Sequence, residues 1–176
     1  MNESVSADDL KLTLKTTFGY LDFRQGQLEI IERILANENI LAVMPTGAGK
    51  SLCYQLPAII SKRLTIVVSP LVSLIDDQAK GLKENGVEVA RIHSGQTYEV
   101  NVENWKLFSS GASKILYLSP ERLMQDRMLS ALKQCSIGTF VIDEAHCISK
   151  WGAAFRPDYE ALSKLKDIFP EANIAA

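Results

Sequence analysis

Met44-Pro-Thr-Gly-Ala-Gly-Lys-Ser51 combines residue types at a spacing that suits one kind of chemistry, the handling of phosphate. A phosphate needs several backbone N–H groups converging on it, so the chain that supplies them must curl tightly. Gly47 and Gly49 permit that curl and let the backbone approach closely. A helix opening near Lys50 adds its positive end. Thr46, Gly47, Ala48, Gly49, Lys50 and Ser51 therefore form a candidate cradle. The Lys50 ammonium would reach the β- and γ-phosphates of a nucleotide, and the Ser51 hydroxyl would ligate Mg2+. The strict pattern G-x-x-x-x-G-K-[ST] expects glycine where Met44 stands, and the plainer alternative is a turn that merely caps a helix.

A second segment, Phe140-Val-Ile-Asp-Glu-Ala-His146, runs an apolar strand straight into two carboxylates. Asp143, at the strand end, is expected to hold Mg2+ directly or through water, and Glu144 to orient and deprotonate an attacking water. An acidic pair after a strand is commonly a solvated turn. Beside a phosphate loop the phosphoryl-transfer reading prevails, because that reaction asks for little beyond positioning and charge stabilisation.

These segments need a scaffold that brings them together. Short apolar runs at Ile40–Met44, Leu64–Ser69, Val87–Ile92, Lys114–Leu118, Thr139–Ile142 and Asn173–Ala176 read as strands. Helical patterns fall between them at Asp8–Thr17, Gly26–Ala36, Lys50–Ile60, Leu74–Glu84, Val100–Phe108, Glu121–Lys133 and Asp158–Ile168. Strands apolar throughout and separated by helices predict a doubly wound α/β domain, its mostly parallel sheet covered on both faces. Ligands bind beyond the carboxyl ends of such strands, and the suggestive segments follow those ends.

The 176 residues fit one domain, spanning 1–176, and the 47% apolar and 23% charged content is that of an ordinary globular chain with a sizeable core. No stretch approaches a membrane span and Met1–Leu10 does not read as a secretory signal, so a cytoplasmic location is the default. Cys53, Cys135 and Cys147 are widely spaced with no C-x-x-C pair, which argues against a zinc site or a disulfide framework. A net charge of −2 means that any nucleic-acid contact must come from a local surface.

Asp143-Glu-Ala-His146 is the D-E-A-H motif of superfamily-2 helicases, and the residues around it narrow the resemblance. Cys147-Ile-Ser-Lys-Trp-Gly-Ala-Ala-Phe-Arg-Pro-Asp-Tyr159 resembles the aromatic-rich loop of the RecQ family of DNA helicases, C-I-S-x-W-G-H-D-F-R-P-E-Y. Phe18-Gly-Tyr-Leu-Asp-Phe-Arg-Gln-Gly-Gln27 is similar to that family's adenine-recognition motif, F-G-Y-x-x-F-R-x-x-Q. Ser69-Pro-Leu-Val-Ser-Leu-Ile-Asp-Asp-Gln78 and Tyr117-Leu-Ser-Pro-Glu-Arg-Leu123 are similar to its motifs Ia and Ic. The resemblance runs from about Leu10 to the last residue.

The resemblance implies the first RecA-like P-loop domain of a motor, cut short before its Thr-Ala-Thr-like motif and lacking the second RecA-like domain that supplies an arginine finger. It implies ATP and Mg2+ as cofactors, with no zinc in this part. It implies single-stranded and forked DNA as partners in recombination and repair, in the nucleoid of a bacterium or the nucleus of a eukaryote. Tyr20 would stack on adenine, with Arg24 and Gln27 making polar contacts, whereas Phe18 and Phe23 read as a small core cluster. Trp151, Phe155 and Arg156 suit unpaired bases, or else fold inward in a free state. Ser69 and Gln78 would face the phosphate backbone, with helix capping the competing role for Ser69. His146 would link the nucleotide and nucleic-acid sites, Trp105 reads as core and His93 as a loop residue. Ala153 and Ala154 stand where the family has His and Asp, which puts the coupling of DNA binding to hydrolysis in doubt. An RNA-dependent relative, a P-loop kinase of small metabolites and a non-catalytic nucleic-acid-binding module are the competing classes. The kinase reading leaves Tyr20, Arg24 and Gln27 unexplained.

Overall fold

A computed structural model describes residues 5–146 and 156–176, with the side chain of Arg156 excepted. Five strands, β1 (Leu64–Val68), β2 (Ala90–Ile92), β3 (Ile115–Leu118), β4 (Ile137–Ile142) and β5 (Asn173–Ala175), form one parallel sheet in the order β2-β3-β1-β4-β5. Its helices are α1 (Ala7–Phe18), α2 (Gln27–Leu35), α3 (Lys50–Ile60), α4 (Val72–Glu84), α5 (Tyr98–Ser109), α6 (Pro120–Leu123), α7 (Asp126–Leu132), α8 (Arg156–Ala161) and α9 (Leu165–Ile168), with a 3-10 turn at Leu162–Lys164.

The two faces of the sheet follow from the two-residue strand period. Ile66, Val68, Leu116, Leu118, Phe140 and Ile142 point to one face, where Phe108, Leu132, Leu162 and Leu165 meet them. Val67, Tyr117 and Val141 point to the other and pack on Ile34, Tyr54, Ala58, Ile75 and Ala79 of α2, α3 and α4. An outer cluster of Leu10, Leu14, Ile31, Leu52 and Leu56 fastens α1 over α2 and α3. Each such fully buried side chain contributes about 1.5–3 kcal/mol, which gives the frame its rigidity.

Ile40–Met44 does not form the expected strand. Ile40 makes a single parallel bridge to Ala175, and the backbone bonds Ile40 N–H to Ile174 O (2.9 Å) and Ala42 N–H to Ala176 O (2.7 Å) tie only its first half to β5. The segment lies at the sheet margin outside β5, so Leu41 and Val43 are 75% and 91% exposed and the apolar run does not signal burial.

The expected helix Glu121–Lys133 is two helices, α6 and α7. Leu123 and Leu132 enter the same core cluster, yet they stand nine residues apart, about two and a half helical turns, and would face opposite ways on one straight helix. The stretch Asp158–Ile168 is likewise subdivided. Tyr159, Leu162 and Leu165 are buried at three-residue intervals, which suits the tighter 3-10 turn between them.

Candidate functional site

Helix α3 opens at Gly49, whose φ of 81° is left-handed, and no side chain caps its first turn. Its N-terminal N–H groups are therefore left for an anion. A Cβ on Gly49 would lie 2.5 Å from Gln27 Nε2, so glycine is required here by close approach as well as by φ.

Gln27 is buried and holds the loop from beneath. Its Nε2 donates to the carbonyls of Ala48 (3.1 Å) and Gly49 (3.2 Å), while its Oε1 accepts from Arg24 N–H (2.9 Å). Arg24 Nη1 donates to Gly47 O at 2.6 Å. The residues expected to contact a base thus shape the phosphate loop itself, and a base contact by Gln27 requires it to release those carbonyls. Tyr20 follows α1 through Gly19, whose left-handed φ of 74° ends the helix and turns the chain, and its ring is 53% exposed at the cleft mouth. Phe18 and Phe23 pack against the outer core cluster.

A cleft of about 860 Å³ joins these parts, its walls including Tyr20, Lys50, Ser51, Gln78, Glu144 and His146. Thr46 and Gly47 lie at its rim, while Ala48 is held through its carbonyl by Gln27. Asp143 directly follows β4, where its N–H donates to Val68 O (2.9 Å) and its Oδ1 accepts from Glu144 N–H (3.0 Å). Burial and then the Glu144 charge push the Asp143 carboxyl above its ordinary value, against the Glu144 N–H, Tyr54 and the Lys50 ammonium. A half-buried carboxylate that feels both a neighbouring carboxylate and an ammonium is suited to a divalent cation, which would relieve both raising effects. Among the described residues no group of three or more His, Cys, Asp or Glu surrounds a metal position. One carboxylate and the Ser51 hydroxyl fit Mg2+, which keeps several waters and takes substrate phosphates as its remaining ligands.

Glu144 is the only charged residue among the described ones with a left-handed backbone, φ 53°. Its Oε2 lies 3.1 Å from His146 Nδ1. That places the Glu144 carboxylate in the cleft, with His146 beside it at the exposed rim.

Ser69 is buried and its hydroxyl has no partner among the described residues. The N-cap of α4 is Leu71, so Ser69 does not cap that helix, and reaching a phosphate backbone requires it to be uncovered. Gln78 accepts from Gln55 Nε2 at 2.9 Å. His93 lies in the loop after β2, as expected, and is buried there: its Nε2 lies 3.2 Å from Asp76 Oδ1, and Nδ1 accepts from Gly95 N–H. Trp105 packs at the edge of the core against Phe108. Cys147, Lys150, Trp151, Ala153, Ala154, Phe155 and the Arg156 side chain lie outside the described residues.

Two site residues escaped the sequence reading. Tyr54 donates to Asp143 Oδ2 at 3.3 Å, and Tyr117 accepts from Gln55 Nε2 at 3.0 Å. Their positions inside an apolar helix and an apolar strand signal only core.

Residues 24–175 match the DEAD/DEAH box helicase family. The chain is 45% identical over 163 residues to the ATP-dependent DNA helicase RecQ of Pasteurella multocida, covering 93% of this chain and 26% of that protein. It is 45% identical over 157 residues to the probable ATP-dependent DNA helicase RecS of Bacillus subtilis, covering 89% and 32%. The chain thus spans about a quarter to a third of the length of these relatives. Among solved structures, the DUF1998 helicase MrfA bound to DNA superposes with a TM-score of 0.76 at 21% identity, over 99% of this chain and 26% of that one. At that identity the likeness shows the fold alone.

Proposed function

The chain belongs to the DEAD/DEAH box helicase family, and from that premise we propose that it is the nucleotide-binding motor domain of a RecQ-type, ATP-dependent DNA helicase. The observation that carries the reading is the meeting, in one cleft, of Lys50, Ser51 and Glu144, next to a half-buried Asp143 that answers to the Lys50 charge. Lys50 and the first-turn N–H groups of α3 bind the β- and γ-phosphates. Ser51 and Asp143 would hold Mg2+, which would supply charge neutralisation on the phosphate oxygens. Glu144 orients the attacking water and takes its proton, with His146 against its carboxylate. Tyr20 stacks on the base, and Arg24 and Gln27 set the loop that receives the phosphates.

Single-stranded and forked DNA would lie across Ser69, Gln78 and the segment carrying Trp151, Phe155 and Arg156, with recombination and repair as the setting. The intact Lys50, Asp143 and Glu144 favour a working ATPase over a passive binding module. Motors of this kind convert hydrolysis into movement by closing two domains across the nucleotide, so a second RecA-like domain belongs to the mechanism. These 176 residues alone then bind Mg-ATP without separating strands.

ATP hydrolysis measured with and without single-stranded DNA, on this chain and on a longer natural chain containing it, tests the reading. Hydrolysis stimulated by DNA in the longer chain and lowered about 100-fold or more by Glu144→Gln is the expected result. Stimulation by single-stranded RNA but not DNA, or strand separation by the 176 residues alone, contradicts it.

A further inference from the structure

Between the sheet and helices α3 and α4 lies a line of polar groups in an otherwise apolar layer. It starts at Asp143 Oδ2, which accepts from the buried Tyr54 hydroxyl at 3.3 Å. Tyr54 shares a core cluster with the fully buried Tyr117, and its hydroxyl interacts with those of Tyr117 and Ser51. Tyr117 in turn accepts from Gln55 Nε2 at 3.0 Å, and the same nitrogen donates to Gln78 Oε1 at 2.9 Å. Gln78, half-buried on α4, opens into the same cleft as Lys50 and Glu144.

The hydrogen-bond directions are fixed by what each group can do. The carboxylate of Asp143 can only accept, so Tyr54 spends its one proton there, and its oxygen must look to neighbouring hydroxyls for donors. The Gln55 amide nitrogen has two protons, one for Tyr117 and one for Gln78. Turning the Gln78 amide away leaves that Gln55 proton without its acceptor, and an amide that rotates to regain one carries its bond to Tyr117 with it. Phenylalanine at 54 and 117 would fill the same space without these polar groups, and buried hydroxyls cost free energy unless they are bonded. Burial raises both hydroxyls well above the ordinary tyrosine range, so they stay protonated as donors.

We propose that Tyr54, Tyr117 and Gln55 are positioning residues that couple a contact made at Gln78 to the placement of the Asp143 carboxylate for Mg2+. The relay joins the cleft's α4 wall to the cation position. It rests on the function proposed above, because it needs Asp143 to meet Mg2+ beside a bound nucleotide. Gln78 reports contact on α4, Gln55 and Tyr117 carry it through the layer, and Tyr54 delivers it.

The test is a double-mutant cycle on the 176-residue chain, with a fluorescent ADP titrated in the presence and absence of Mg2+. Tyr54→Phe weakens Mg-ADP binding about tenfold, as expected for a lost hydrogen bond to a charged group, and the loss is confined to the Mg2+ titration. Gln78→Leu weakens it severalfold in the parent but not in the Tyr54→Phe background, since the line is already cut. Tyr117→Phe, which lies away from the nucleotide, must abolish the Gln78 effect in the same way, and near-ultraviolet circular dichroism checks that each variant is folded. Additive effects of Gln78→Leu and Tyr54→Phe, or equal losses with and without Mg2+, overturn the relay. A parent chain that binds no Mg-ADP overturns the functional reading itself, which is a separate result.

Discussion

Glu144 holds a left-handed backbone that costs a non-glycine residue about 1–2 kcal/mol, and Asp143 accepts its N–H there. The strain sits on the residue proposed to activate water, and the bond to Asp143 just past β4 helps to hold it. Gly49 is the matching case in the loop. Gly49→Ala combines a φ of 81° with a Cβ 2.5 Å from Gln27 Nε2, so Gln27 must leave the Ala48 and Gly49 carbonyls. The expected outcome is a loss of about 2–3 kcal/mol in urea unfolding and a nucleotide affinity at least tenfold weaker by calorimetry. Alanine tolerated at both readouts would mean that the loop does not depend on this approach. At this scale the sequence singled out Lys50, Ser51, Asp143 and Glu144 through their order along the chain, and the fold brings Lys50, Ser51 and Glu144 to one cleft. It could not identify Tyr54 or Tyr117, because a tyrosine in an apolar run looks like core until its hydroxyl has a partner.

Helices α1 and α3 end and begin for local reasons that the sequence carries. Ser6 and Asp9 cap α1 reciprocally: Asp9 N–H donates to Ser6 Oγ (3.1 Å) and Ser6 N–H donates to Asp9 Oδ2 (3.1 Å). The Ser6 hydroxyl and N–H hold the Asp9 carboxyl below its ordinary value. A depressed carboxyl stabilises the fold above its unfolded pKa and loses that contribution as pH falls through the folded value. Ser6→Ala is therefore expected to lower Tm by about 2–4 °C near neutrality. That gap should narrow as the pH falls through the lowered Asp9 pKa in a melting series; a gap constant with pH would show the carboxylate plays no part. By contrast, the division of the expected Glu121–Lys133 helix was not legible. Helical periodicity is local, whereas the need for Leu123 and Leu132 to enter one core is set by the sheet beneath them.

Across the molecule, Asn173 joins distant parts of the chain. It is fully buried, its Oδ1 accepts from Thr139 Oγ1 at 2.7 Å, and its Nδ2 donates to Glu38 O at 2.8 Å. It thereby locks β5 to β4 and to the turn that leads into the phosphate loop. Asn173→Leu strands a buried hydroxyl and a carbonyl together, so a loss of about 2–3 kcal/mol in urea unfolding is expected. A neutral result would show that water replaces both bonds. The sequence by itself determined the α/β class, the parallel sheet and the placing of the acidic pair at a strand end, because apolar periodicity and glycine spacing are local properties. Only the tertiary structure decided that Ile40–Met44 is a margin rather than a strand, that Ser69 is buried, and that Gln27 grips the loop. Each of those depends on what lies across space from the residue: which strand flanks a segment, which side chain covers a hydroxyl, which carbonyl an amide can reach. Such partners stand twenty or more positions away in the chain, and no pattern along it records them.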